Sequence, residues 1–273
     1  MLNNIVEMLS YTFIVRAIIV GTLISLCASL LGVTLVLKKY AMIGDGLSHV
    51  AFGALAIATI FQFSPLYFSL PIVMIVAFLL LRLNENSKIR GDSAIAVISA
   101  SAMAIGVVVI SMSSGTNIDI HNYLFGSILA INKNDVIISI VLSIFVLVLF
   151  VLYYRKLFAV TFDETFAKAI GIKINRYISL LAILTSVTIV VGMRLMGSLL
   201  ISSLIIFPAL TAMMLFKTFF SVTVCSVVIS VISFLIGITV SYSFSTPIGA
   251  TIVCINLILL LCFYMIDSIK RYL

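Results

Sequence analysis

Long apolar runs, cut by short polar or glycine- and proline-bearing breaks, organise this chain from end to end. They fall at about 9–37, 43–63, 65–81, 93–113, 136–154, 177–193, 195–216, 219–243 and 247–266. Most approach the ~20 residues that a helix rising 1.5 Å per residue needs to cross a hydrocarbon layer of about 30 Å. Two pairs of runs are divided only by Ser64-Pro65 and by Gly192 to Gly197, so the pattern predicts eight or nine spans. The expected fold class is an all-α polytopic membrane protein, with 1–273 forming a single transmembrane domain.

Composition agrees with the pattern. Of 273 residues, 63% are hydrophobic and 9% charged, against about 25% charged in soluble domains. The 16 Lys and Arg outnumber the 9 Asp and Glu, for a net charge of +7. They gather at Lys38-Lys39, Arg82 to Arg90, Arg155 to Arg176, Lys217 and Lys270-Arg271. With nine spans these connections share one side, which the positive-inside rule makes cytoplasmic. The N-terminus is then outside and the C-terminus inside; Arg16 and Arg194 fit this scheme poorly. The basic excess thus points to orientation in the cell inner (cytoplasmic) membrane and not to nucleic acid.

The four cysteines lie in apolar runs without a Cys-x-x-Cys pair, which indicates neither a disulfide framework nor a thiolate metal site. Met1 to Ser10 carries Glu7 and no basic cluster, unlike a cleavable signal. The longest polar connection, 155–176, is too short for a soluble domain, and no Gly-x-x-x-x-Gly-Lys-Ser/Thr phosphate loop occurs. Whatever supplies energy would have to be another polypeptide or an ion gradient.

Candidate chemistry centres on two histidines. Asp45 and His49 are spaced i, i+4, one turn apart on one helix face. His49 lies ten residues, about 15 Å of helix, beyond Lys39, which places it near mid-membrane. Ionisable groups at that depth are costly and mark ion or substrate paths; the plain alternative is a structural pair. A carboxylate and an imidazole suit Zn²⁺ or Mn²⁺, but zinc takes four ligands. Two copies facing across a twofold axis would supply them, which implies a homodimer. Gly44, Gly46 and Gly53 beside the pair permit close helix approach. Ser48 is the nearest other polar side chain by sequence, and no further acidic residue or histidine is expected inside a span. Asp119 and His121, on the predicted outer side, read as solvated loop residues, with contact to incoming metal as the alternative. Asp163 and Glu164 open a short helical pattern that Gly171 can end, with Phe166, Ala169 and Ile170 on one apolar face. That segment, about 162–172, suits either the membrane surface or a groove on a cytoplasmic partner.

At these places the chain resembles the permease subunits of zinc and manganese ABC importers, over nearly its full length. Gly44-Asp45-Gly46-Leu47-Ser48-His49 is similar to the family's Gly-Asp-x-Leu-x-His element. Tyr123-Leu124-Phe125-Gly126 with Ile128-Leu129-Ala130 resembles its outer-side element, in a form closer to the zinc branch. Met196 to Ala209 resembles its Gly-x-Leu-hydrophobic-x-Ser-Leu-x-x-x-Pro-Ala run. The resemblance implies an architecture like that of the vitamin B12 permease. It implies a homodimer bound to two cytoplasmic ATP-binding subunits and fed by an extracytoplasmic metal-binding protein. Asp45 and His49 would be pathway ligands for transported zinc, with manganese or iron as the alternative cargo. The helix from Asp163 to Gly171 would couple to the ATPase, and no permanently bound cofactor is implied. Among rival classes, a gradient-driven transporter would place more ionisable groups along its spans. An intramembrane metalloprotease would need His-Glu-x-x-His, which is missing. A passive structural protein leaves the buried pair unexplained.

Overall fold

The computed structural model of the chain describes residues 7–83, 91–112 and 133–272. Its helices are α1 (Thr12–Leu37), α2 (Ile43–Ile60), α3 (Pro65–Leu83), α4 (Gly91–Met112) and α5 (Lys133–Phe162). They continue with α6 (Glu164–Ala169), α7 (Ile174–Met196), α8 (Ser198–Leu215), α9 (Phe219–Phe244) and α10 (Ile248–Tyr272). Among the described residues there are no strands, and nine helices are long and apolar enough to cross a bilayer. Both doubtful breaks are real, which selects nine over eight.

Helix ends follow from local backbone chemistry. At the end of α1, Lys39 takes φ 63°, its N–H donates to Val36 at 3.0 Å, and the Tyr40 N–H donates to Leu35 at 2.8 Å. The same double bond closes α2, where Gln62 (φ 57°) donates to Thr59 and Phe63 to Ala58. A left-handed residue with a side chain costs about 1–2 kcal/mol; capping otherwise orphaned carbonyls offsets that.

α1 is the central helix, touching α5, α7, α8 and α9. Its seam with α9 is built from small residues: Ser230 Oγ donates to the Ser25 carbonyl at 3.1 Å and Ser226 Oγ to that of Ser29 at 3.4 Å. Such residues let helix backbones approach where lipid supplies no hydrophobic drive for association. α2 packs against α3 and α4 on one side and α7 and α8 on the other. The outer helices turn apolar side chains outward, among them Val97 and Ile105 of α4, Val151 and Leu152 of α5, and Leu257 and Leu261 of α10. Facing lipid, these carry no penalty.

Two features depart from the sequence reading. The segment 155–162 continues α5 as helix, so that helix runs 30 residues, about 45 Å. Its basic residues do not break it: Lys156 Nζ settles over the rings of Tyr153 and Tyr177, 5.9 and 5.8 Å from their centroids. The first stop is Asp163, whose Oδ1 accepts the Phe166 N–H at 2.9 Å and starts α6. The second feature is the depth of the α7–α8 turn. A Cβ on Gly192 would press on both Ile201 and Ile24, and Ile24 stands midway along the 26 residues of α1. Met196, the last residue of α7, abuts Gly21. The turn at Gly197 therefore lies within about one helical turn of the middle of α1, inside the bundle.

Candidate metal-binding site

Asp45 occupies the first turn of α2, where the helix dipole favours a negative charge, and His49 follows one turn on. The i, i+4 expectation holds: His49 Nε2 lies 3.6 Å from Asp45 Oδ2. That is ion-pair range, too long for a hydrogen bond. Asp45 keeps 44% of its side-chain surface exposed and His49 20%, so the pair is open on one side. The other imidazole nitrogen, Nδ1, is buried and has no hydrogen-bond partner among the described residues.

The hydroxyl beside this pair is not the one nearest in sequence. Ser48 Oγ donates to the Asp45 backbone carbonyl at 2.7 Å, which ties it to its own helix. Ser202 of α8 reaches Asp45 instead, with Oγ 3.4 Å from Oδ1 while also donating to the Ser198 carbonyl at 3.0 Å. Ser202 adjoins Ile201, whose side chain a Cβ on Gly192 would meet. α2 begins only at Ile43, so His49 stands six residues, about 9 Å, into that helix, and the ten residues after Lys39 are not one continuous helix.

Gly197 makes this arrangement possible. It holds φ 87°, ψ 161°, a region open essentially to glycine alone. The chain breaks there and α8 restarts inside the bundle, pointing Ser202 at α2. Irregular backbone at this depth is tolerated where protein surrounds it.

One expectation is corrected. Asp135, just outside the predicted run 136–154, is buried in the first turn of α5 and paired with Arg194 at 2.9 Å. Arg194, which fitted poorly with the charge scheme, finds its counter-ion there. A charged group at depth needs such a partner, and the tertiary fold supplies it from a distant segment. Asp119, His121 and the Tyr123–Ala130 element lie outside the described residues. The 163–171 segment forms as expected: Gly171 (φ 81°) ends α6, with its N–H on Lys168 and that of Ile172 on Ala167. Phe166, Ala169 and Ile170 are exposed, while Ala167 is buried. Among the described residues, no three His, Cys, Asp or Glu side chains gather as a metal site within the single chain.

Among the described residues, nine long apolar helices, one of them restarting at a break inside the bundle, make the architecture of a multi-pass membrane protein. The chain belongs to the ABC 3 transport family, whose model matches residues 10–267. It is similar to the high-affinity zinc uptake system membrane protein ZnuB of Haemophilus influenzae, 32% identical over 237 residues, covering 87% of this chain and 91% of that protein. It is similar also to the manganese transport system membrane protein MntC of Halalkalibacterium halodurans, 29% identical over 249 residues, 91% of this chain and 85% of that one. The fold matches PsaBC from Streptococcus pneumoniae in complex with Fab, with TM-score 0.87, 27% identity and coverage of 99% of this chain and 97% of that one.

Proposed function

We propose that the chain is the membrane-spanning subunit of an ATP-driven importer of divalent transition metal, with zinc as the cargo. It works as a homodimer with two cytoplasmic ATP-binding subunits and receives metal from an extracytoplasmic binding protein. Asp45 and His49 are the pathway ligands. The observation that carries this reading is their approach to 3.6 Å, with the Nδ1 of His49 left without a partner among the described residues. A purely structural pair would satisfy both ring nitrogens.

One chain contributes two ligands; its twofold mate contributes two more. Two carboxylates and two imidazoles complete a four-coordinate zinc site without water. Manganese favours more oxygen donors, and Ser202 offers a single hydroxyl already engaged with Ser198. The relatives named for zinc and for manganese make both ions arms of the test. Uptake by the reconstituted complex with its binding protein is measured with radiolabelled Zn²⁺ and Mn²⁺, separately and in competition. Zinc uptake that manganese inhibits weakly is the expected result. Transport of manganese with zinc acting only as an inhibitor overturns the zinc assignment, and transport of neither overturns the importer reading.

A further inference from the structure

Lys38 ends α1 seven residues before Asp45, and its ammonium lies 2.6 Å from Glu164 Oε1, the first residue of α6. The Lys38 side chain is 5% exposed and that of Glu164 43%. The pair thus ties the cytoplasmic segment to the connection leading into the helix that bears Asp45 and His49.

Little slack exists on either side of it. Between Lys38 and α2 the backbone is held by the Lys39 and Tyr40 N–H bonds to α1 and by the Ile43 N–H on the Tyr40 carbonyl at 3.0 Å. Tyr40 itself is buried. On the other side, Asp163 caps α6 and buried Ala167 seats it. A displacement of α6 therefore reaches Lys38 through one charge-assisted contact, and from Lys38 it passes to the first turn of α2.

We propose that the Lys38–Glu164 ion pair is the joint through which movement of the 163–171 segment repositions the N-terminal turn of α2. Lys38 is then a positioning residue for Asp45 and His49. This rests on the importer reading, in which 163–171 receives the motion of an ATPase.

The asymmetry of exposure dictates the experiment. Removing Glu164 would strand a buried ammonium, which is strongly destabilising, whereas removing Lys38 leaves a carboxylate that water can solvate. Lys38→Met keeps the buried stem volume and loses only the charge. In the full complex, reconstituted with its binding protein and Zn²⁺ or Mn²⁺, Lys38→Met should co-purify with the ATPase and keep basal hydrolysis. Metal uptake and the metal-dependent increment of hydrolysis should fall by about 5- to 150-fold, the range of ordinary coupling free energies. Lys38→Arg should retain uptake. Lys38→Glu should lose it, and the double variant Lys38→Glu/Glu164→Lys should recover much of it. Wild-type uptake by Lys38→Met overturns the joint, as does a double variant no better than Lys38→Glu, or loss of the ATPase on Lys38→Met. Should the wild-type complex itself hold no ATPase or move no metal, the importer reading fails instead.

Discussion

The guanidinium of Arg194 lies 2.9 Å from the carboxylate of Asp135, joining the last turn of α7 to the first turn of α5 beside the break at Gly197. Both side chains are largely buried, so each is the other's compensation for lost water. Breaking such a pair costs about 3–5 kcal/mol, while removing both charges is often close to neutral. Arg194→Met should therefore lower the thermal unfolding midpoint in detergent markedly. Adding Asp135→Asn should restore most of it. Additive losses in the double variant would refute the pairing.

The central pair makes a sharper expectation. Asp45→Ala or His49→Ala should reduce metal uptake more than about 100-fold, since groups that merely orient ligands already cost about 10- to 100-fold. In a symmetric dimer each substitution removes two ligands. Ser202→Ala, which removes a hydroxyl 3.4 Å from Asp45, should cost about tenfold. His121→Ala should keep most uptake at saturating metal. Uptake is read at matched membrane levels; wild-type rates for both Asp45→Ala and His49→Ala would remove the pair from the pathway.

The spans and the Asp45–His49 pair were legible in the sequence because both depend on short-range spacing. A bilayer demands long uninterrupted apolar runs, and an i, i+4 relation needs only one helix. Ser202 and the Asp135–Arg194 pair were not legible, because distant segments create them. The sole local hint was that Arg194 interrupted an otherwise consistent charge pattern. The extent of α5 is not legible either, because the polarity of Arg155 and Lys156 resembles that of a connection. Charge does not end a helix, whereas the Asp163 cap does. The depth of the Gly197 turn was likewise hidden, since run lengths do not say where two helices meet.

Two glycines with positive φ should respond differently to substitution. Gly197 has ψ 161°, where a Cβ is excluded at a cost of about 1–3 kcal/mol, and the break it makes directs Ser202 toward Asp45. Gly197→Ala should lower both the unfolding midpoint and metal uptake. Gly171 has φ 81° with open space around its missing Cβ. Gly171→Asn, a residue that tolerates the left-handed region, should be nearly neutral for both. Equal losses from the two would show that φ alone, and not the place of Gly197 in the bundle, sets the effect.

Energy coupling gives the last prediction. Phe166 is 58% exposed and Ile170 55%, and with Ala169 they form an apolar face on a segment that Asp163 and Gly171 fix at both ends. These exposed groups stand close in sequence to Lys168 and Lys173, charges that in a bilayer keep to the water side. A groove on the ATP-binding subunit would bury them, and a carboxylate placed among them would be buried without a partner. Desolvation of an unpaired polar group costs about 1–3 kcal/mol, and more when it is charged. Ala169→Glu should accordingly weaken ATPase binding at least about fivefold or leave hydrolysis running without metal uptake. Ala169→Ser, which adds a hydroxyl and little volume, should behave nearly as wild type. Co-purification, hydrolysis and uptake are measured on the same preparations. An Ala169→Glu complex that stays assembled and transports at the wild-type rate would exclude this face from the contact.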